Sequence, residues 1–201
     1  MVTQQQNLDK REVFYPESDG KPMADNTKQF RWIVVIEQNL EWLFADDPNV
    51  SVAGDLLWYP VEGNNQLSAA PDAMVVFGRP KGDRGSYQQW NEDNLPPQVV
   101  FEILSLSKTQ PEMERKLLFY HTYGVEEYYV YNPDRIQLSG WIRSEDGLLD
   151  RIESISGWVS PRLGVRFDLG TELELYCPDG MPFFSFAEIN QMLEQAQQRA
   201  E

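Results

Sequence analysis

The stretch "QVVFEILSLSKTQPEMERKLLFYHTYGVEEYYVYNP" constrains this chain more than any other. Val99, Val100, Phe101, Glu102, Ile103 and Leu104 read as a buried strand with one carboxylate in its middle. "TQPEMERKLLFYHTYG" then has the spacing of a helix, with Thr109 and Glu112 in capping-box register and Gly124 as its stop. "EEYYVYNP" follows as a second strand, rich in tyrosine. Strand, helix and strand in that order predict a parallel crossover, which is right-handed in nearly all cases. A lone carboxylate buried in such a strand costs several kcal/mol unless a cation or donors compensate it, so Glu102 requires a partner.

The rest of the chain fits one domain built around that unit. Its 201 residues, 41% hydrophobic and 12% aromatic, are enough for one substantial core. Residues 1–25 read as a loose arm with one short strand around Val13 to Tyr15, residues 26–184 as the domain, and residues 185–201 as a terminal helix. "NTKQFRWIVVIEQNLEWLFADDP" predicts a helix capped by Asn26 or Thr27, with Ile33, Ile36, Leu40 and Leu43 on the stripe that packs on the sheet and Pro48 beyond its end. "NVSVAGDLLWYPVEG" and "APDAMVVFGRP" are β-rich and separated by the turn-forming "EGNNQ". From Arg135 to Tyr176 short strands and turns predict an antiparallel meander. The last helix carries a second capping box, Ser185 with Glu188; its polar final turns either fray or begin a coil.

Composition excludes some function classes. No apolar stretch approaches the roughly 20 residues of a membrane span, and the N-terminus lacks the layout of a signal peptide, so no membrane partner and a cytoplasmic location are expected. Cys177 alone permits neither an internal disulfide nor a zinc site; a buried or incidental thiol is expected there. With 17 lysines and arginines against 32 aspartates and glutamates, the formal net charge of -15 argues against tight non-specific DNA binding. Clustered carboxylates are, however, what a hard divalent cation requires.

Asp72, after Pro71 and before "AMVVF", is the second acid at a strand position. If its strand and that of Glu102 share a sheet, the two carboxylates converge at one edge, and a divalent cation would offset their repulsion. Asp72 could instead simply open a strand after a turn, and Glu102 could pair with a buried arginine or lysine. Lys116 shares a helical stripe with Met113, Leu117 and Tyr120, which turns its stem toward the packed side; the alternative is an exposed pair with Glu112. His121 lies roughly half a circumference from Lys116 and reads as an exposed histidine. The loop "GRPKGDRGSYQQW" offers Arg79, Lys81 and Arg84 to a nucleic-acid backbone, with Tyr87 and Trp90 able to stack on bases, or it is an ordinary solvated loop.

The segments "APDAMVVFG", "PPQVVFEILSLS" and "ERKLLFYHTYGVEEYYVYNPD" together resemble the Uma2 family, abundant in cyanobacteria and placed in the PD-(D/E)xK nuclease superfamily. The resemblance is strong from Thr27 to Asp134 and looser over the meander. It implies an α/β (α+β) fold of the restriction-endonuclease type: a central mixed β-sheet flanked by helices, the active site at one edge, then the antiparallel meander and the C-terminal helix. Under it Asp72 matches the aspartate of the PD motif and Glu102 the acid of the third motif. The superfamily's usual lysine two residues after that acid is here Leu104, so the resemblance leaves Lys116 as a migrated catalytic lysine, with Lys108 as second choice. An acid from the first helix would be Glu37 or Glu41, both more readily read as solvated helix-face residues; Asp55 is a further candidate.

The function implied is an endonuclease hydrolysing phosphodiester bonds in DNA with Mg²⁺ (or Mn²⁺). Asp72 and Glu102 would hold the metal, the carbonyl of Ile103 would be a third ligand, and Lys116 would orient water or neutralise developing charge. The alternative is a catalytically degenerate nuclease fold acting as a binding or assembly module. A third reading is a purely structural domain with Glu102 paired in the core. A homodimer through the tyrosine-rich or C-terminal segment is also expected.

Overall fold

The structure, a computed structural model, describes residues 13–200. Helix α1 spans Thr27–Leu43, and its start follows from Asn26, whose extended backbone lets its side chain accept the Gln29 N–H at 2.9 Å. Strands β1 (Val50–Ala53), β2 (Trp58–Tyr59), β3 (Ala73–Phe77), β4 (Tyr87–Gln88) and β5 (Val99–Ile103) come next. Helix α2 (Gln110–Thr122) leads to β6 (Glu127–Asn132), β7 (Gln137–Arg143) and β8 (Leu149–Arg151). The chain closes with β9 (Trp158–Val159), β10 (Arg166–Leu169), β11 (Leu173–Tyr176) and helix α3 (Phe186–Ala200).

Six strands form the central sheet in the order β1-β3-β5-β6-β7-β8, and only β5 and β6 run parallel. The strand, helix and strand read from the sequence are therefore the mixed heart of the sheet. Side chains alternate across β5: Val99, Phe101 and Ile103 join one core layer, Val100 and Glu102 face the other side. The first layer packs on Ile33, Ile36 and Leu40 of α1, as the helix stripe predicts, and on Phe167, Leu173 and Leu175 of the second sheet. The opposite layer packs Val100, Tyr128 and Val130 on Tyr120 of α2, with Trp58 and Tyr87 from the parallel pair β2-β4.

Three expectations change. No strand forms at Val13 to Tyr15; the segment is tied by single bonds, Asn65 donating to the Phe14 carbonyl and Gly63 N–H to the Tyr15 hydroxyl. Residues 1–12 of the expected arm lie outside the described residues. The meander divides: β7 and β8 extend the central sheet, while β9, β10 and β11 make a separate antiparallel sheet on the α1 side. Finally, the tyrosine-rich strand β6 lies between β5 and β7 with Tyr128, Tyr129 and Tyr131 all buried, so it offers no interface. Helix α3 does expose its apolar positions, Phe186, Ile189, Met192 and Leu193. Its capping box forms, the Glu188 carboxylate accepting the Ser185 N–H at 2.7 Å. Asn39 of α1 holds the residue before it, donating to the Phe184 carbonyl at 2.8 Å and accepting its N–H at 3.1 Å.

Candidate active site

The register of β3 on β5 brings the two acids together. Ala73 pairs with Phe101 in the antiparallel ladder, so one residue further Asp72 stands opposite Glu102. Asp72 Oδ2 accepts the N–H of Ile103 at 2.6 Å, which fixes the carboxyl against the strand end. Its Oδ1 has no partner among the described residues. Burial, and next the charge of Glu102, raise the Asp72 pKa to about 8.

Glu102 is 3% exposed, and its carboxylate is compensated by helix α2. Lys116 Nζ stands 2.5 Å from Oε2, and the Tyr120 hydroxyl donates to Oε1 at 2.5 Å. Lys116 and Tyr120 are one turn apart, so a single face of α2 delivers both donors. Burial opposes the charge on Lys116, but Glu102 and Asp72 outweigh it and raise the ammonium pKa. Burial, then Glu102, pushes the Tyr120 hydroxyl well up, so it stays a donor. The exposed Lys116–Glu112 pair does not form, because the Glu112 carboxylate caps the helix, accepting from the Thr109 N–H at 2.8 Å. Sequence reading placed Tyr120 on the stripe but assigned it no role; its position four residues after Lys116 was the available signal.

Asp72, Glu102 and Lys116 line one cleft of about 380 Å³, with Tyr120 buried behind Glu102. Asp55 reaches it on a backbone of φ 49°, its pKa raised by burial and then by Asp19. Lys108 and Arg115 border it, and Asp19, Lys21 and Met23 of the arm form its outer wall. Among the described residues no three histidine, cysteine or acidic side chains come together at metal-holding spacing. The residues present still fit a divalent cation: Asp72 Oδ1 opens to the cleft without a protein partner among the described residues, and the Glu102 carboxylate faces it. The expected third ligand is engaged elsewhere, since the Ile103 carbonyl accepts from the buried Gln29 of α1 at 2.7 Å.

Other candidates lie apart. Glu41 pairs with Lys81, and Glu37 packs its stem over Gly54, where a Cβ would meet Glu37 Cγ at 3.2 Å; neither lines the cleft. His121 is half-buried and accepts the Leu149 N–H at 3.4 Å. The loop expected to meet nucleic acid is closed on itself. Arg79 and Arg84 both bind Glu92, Tyr87 is buried with its hydroxyl on the Leu95 carbonyl, and Trp90 packs on Tyr15. A second buried glutamate escaped the sequence reading. Glu127 of β6, 1% exposed, points to the α1 face and accepts from the Ser160 hydroxyl, the Tyr129 hydroxyl and the Arg162 N–H. It precedes "YYV" as Glu102 follows "VVF", and the same reasoning would have found it.

The fold and the sequence both have counterparts. The solved structure of a "putative nuclease belonging to DUF820" from Anabaena variabilis superimposes with a TM-score of 0.51 at 14% identity, covering 70% of this chain and 74% of that one. At that identity the likeness is one of fold. None of the curated proteins matches the sequence, and no helix among the described residues is long and apolar enough to cross a membrane. The model of the Uma2 family, described as "Putative restriction endonuclease", matches residues 21–174. That span holds the central sheet, both helices that cover it and every residue of the cleft except Asp19, and on it the chain belongs to the Uma2 family.

Proposed function

We propose that the protein is an endonuclease that hydrolyses phosphodiester bonds in DNA with Mg²⁺ or Mn²⁺, using Asp72, Glu102 and Lys116. The observation that carries this reading is the pairing of two buried carboxylates across one ladder step, with a lysine on one and an open oxygen on the other. Family membership supports a nuclease-like activity. Asp72 and Glu102 would hold the metal. When bound, such a cation polarises the scissile phosphate and lowers the pKa of a coordinated water.

The chain's own groups do the rest. Tyr120 holds Glu102 Oε1 and fixes the carboxylate's rotamer, while the Ile103 N–H does the same for Asp72. Lys116, anchored on Glu102 and partly open to the cleft, neutralises charge that develops on the phosphate. Leu104 continues the strand as an apolar residue, so the cation comes from α2. Cutting both strands of a duplex would call for a homodimer, and the exposed apolar positions of α3 are the surface suited to it.

The direct test is incubation with supercoiled and single-stranded DNA in Mg²⁺ or Mn²⁺. Cleavage is expected from the wild type and lost in Asp72→Ala and Glu102→Ala; cleavage unchanged in both variants would sink the assignment. Two contacts favour the second reading, a degenerate fold that binds without cutting: Lys116 closes on Glu102, and Gln29 donates to the Ile103 carbonyl. Calorimetric titration with Mn²⁺ separates the two. The enzyme should bind the ion in the micromolar to millimolar range, as carboxylate sites of this kind do, and a closed ion pair should not.

A further inference from the structure

The protein is strongly acidic, so the positions of cations that lack an acidic partner are informative. About half of the lysines and arginines among the described residues pair with carboxylates, and Arg143 directs its guanidinium to backbone carbonyls. Lys21, Lys108, Arg115, Arg135 and Arg151 have no carboxylate within 4.0 Å among the described residues. All five border the candidate active site or the groove that adjoins it. Away from this region, among the described residues, only Arg31 and Arg199 stand in the same state.

The adjoining groove shares Leu104, Lys108 and Met113 with the catalytic cleft and continues across β6 and β7 to β8. Its lining contains Lys108, Arg135 and Arg151, neutral polar groups such as Asn132 and Gln137, the partly exposed ring of Trp141, and no carboxylate. In a chain of net charge -15 this wall carries three cations and no acid. The ladder gives its distance from the site. Glu102 pairs with Val130 and Val130 with Ser139, all on one face, so the groove begins at Val130, one strand spacing from Glu102, and at Ser139 lies two spacings, roughly 10 Å, away. Arg135 is presented by a turn that Asn132 braces, its side chain accepting the N–H groups of Asp134 and Arg135 at 3.1 Å. Arg151 leans on the Ser139 hydroxyl at 3.5 Å.

We propose that this groove binds the backbone of a single nucleic-acid strand running to the catalytic cleft, with Lys108, Arg135 and Arg151 on successive phosphates and Trp141 against an unpaired base. The choice of occupant rests on the nuclease reading above; the groove's charge and its continuity with the cleft do not. Phosphate contacts of this kind position a strand without reading its sequence, and an aromatic face stacks on any base. Local cation density explains how an acidic protein holds a polyanion: at physiological salt the distant carboxylates are screened beyond about 8 Å.

Fluorescence anisotropy with a short labelled oligothymidylate in EDTA, over a series of KCl concentrations, tests the groove apart from catalysis. Arg135→Gln with Arg151→Gln should weaken binding at least tenfold and reduce the slope of log affinity against log salt by about 1.4, the contribution of two single-strand phosphates. Arg31→Gln with Arg199→Gln should change neither. Both residues of the groove pair are exposed, and an unchanged thermal melt will show that the double variant is folded. Wild-type binding by that variant would overturn the groove. Cleavage assays in Mn²⁺ keep the two readings apart. Cleavage with groove-independent binding removes the groove alone; groove-dependent binding without cleavage removes the nuclease alone and leaves the groove; no binding by any form removes the groove, and the cleavage assay then decides the nuclease by itself.

Discussion

Glu102 and Glu127 are both buried glutamates, in neighbouring parallel strands, and they face opposite sides of the central sheet. On the α1 side Glu127 is saturated by two hydroxyls and a backbone N–H, and these donors bind the loop before β10 to the sheet. On the α2 side Glu102 is held by a lysine and a tyrosine, and beside it lies a second carboxyl with an oxygen left open. Neutral donors closed around one acid make a staple. A lysine, a second carboxyl and a cleft around the other make a place where charge can be exchanged. The surroundings, and not burial, separate the two.

The largest effect that would sharpen this contrast is on activity. Glu102→Gln should lower metal-dependent cleavage at least a hundredfold while the urea midpoint falls less than in Glu127→Ala, since the amide oxygen still accepts from Tyr120 and Lys116, partly open to the cleft, can turn its ammonium to water. Glu127→Ala should do the reverse. It strands three donors and leaves a void, costing about 2–4 kcal/mol in urea unfolding, with cleavage per folded molecule unchanged. If both variants lost only stability, the two faces would be equivalent and the α2 side would be structural as well.

A pH series distinguishes them next. The Asp72 pKa is raised in the folded state to about 8, by burial first and Glu102 second, from an unfolded value near 4. The folded protein therefore holds a proton that the unfolded chain has released, and stability falls as pH rises from about 4 to about 8, by at most ~1.4 kcal/mol per unit. Asp72→Asn should flatten that decline in chemical-denaturation curves. Added Mn²⁺ should oppose it in the wild type only, because the ion binds the deprotonated carboxyl. A decline equally steep in Asp72→Asn would assign the proton elsewhere.

The smallest effect concerns the turn that carries Arg135. Ile136 follows it at φ 51°, a left-handed conformation that costs a branched L-residue about 1–2 kcal/mol. Ile136→Gly should stabilise the fold by under about 1 kcal/mol, because glycine also gains entropy in the unfolded chain. A melting temperature that fell instead would show that the Ile136 side chain contributes more by packing than its backbone loses by strain.

What the sequence made legible was local pattern. The α1 stripe, both capping boxes, the β5-α2-β6 order and the misfit of Glu102 all follow from spacings within a few residues of one another. Partner choice across the fold was not legible. Nothing near Gln29 announces that it will bind the carbonyl of Ile103, and the arginines of the glycine-rich loop look free until Glu92 folds back on them. The meander split for a similar reason: strand periodicity marks β7 through β11 alike, and only packing on α1 or on β6 decides which sheet each joins.

The bond from Gln29 to Ile103 has a further consequence on the nuclease reading. With that carbonyl engaged, the protein supplies only two carboxylates to a cation that needs six or more oxygens, so water or a substrate phosphate completes the set. Ion and nucleic acid then become thermodynamically coupled ligands, each raising the affinity of the other by the same factor. Titrating Mn²⁺ with and without oligonucleotide reads that factor directly, and equal affinities in the two titrations would exclude it. Through one glutamine on the far helix, the fold would keep the free enzyme's hold on metal weak and reserve the assembled site for moments when a strand is present.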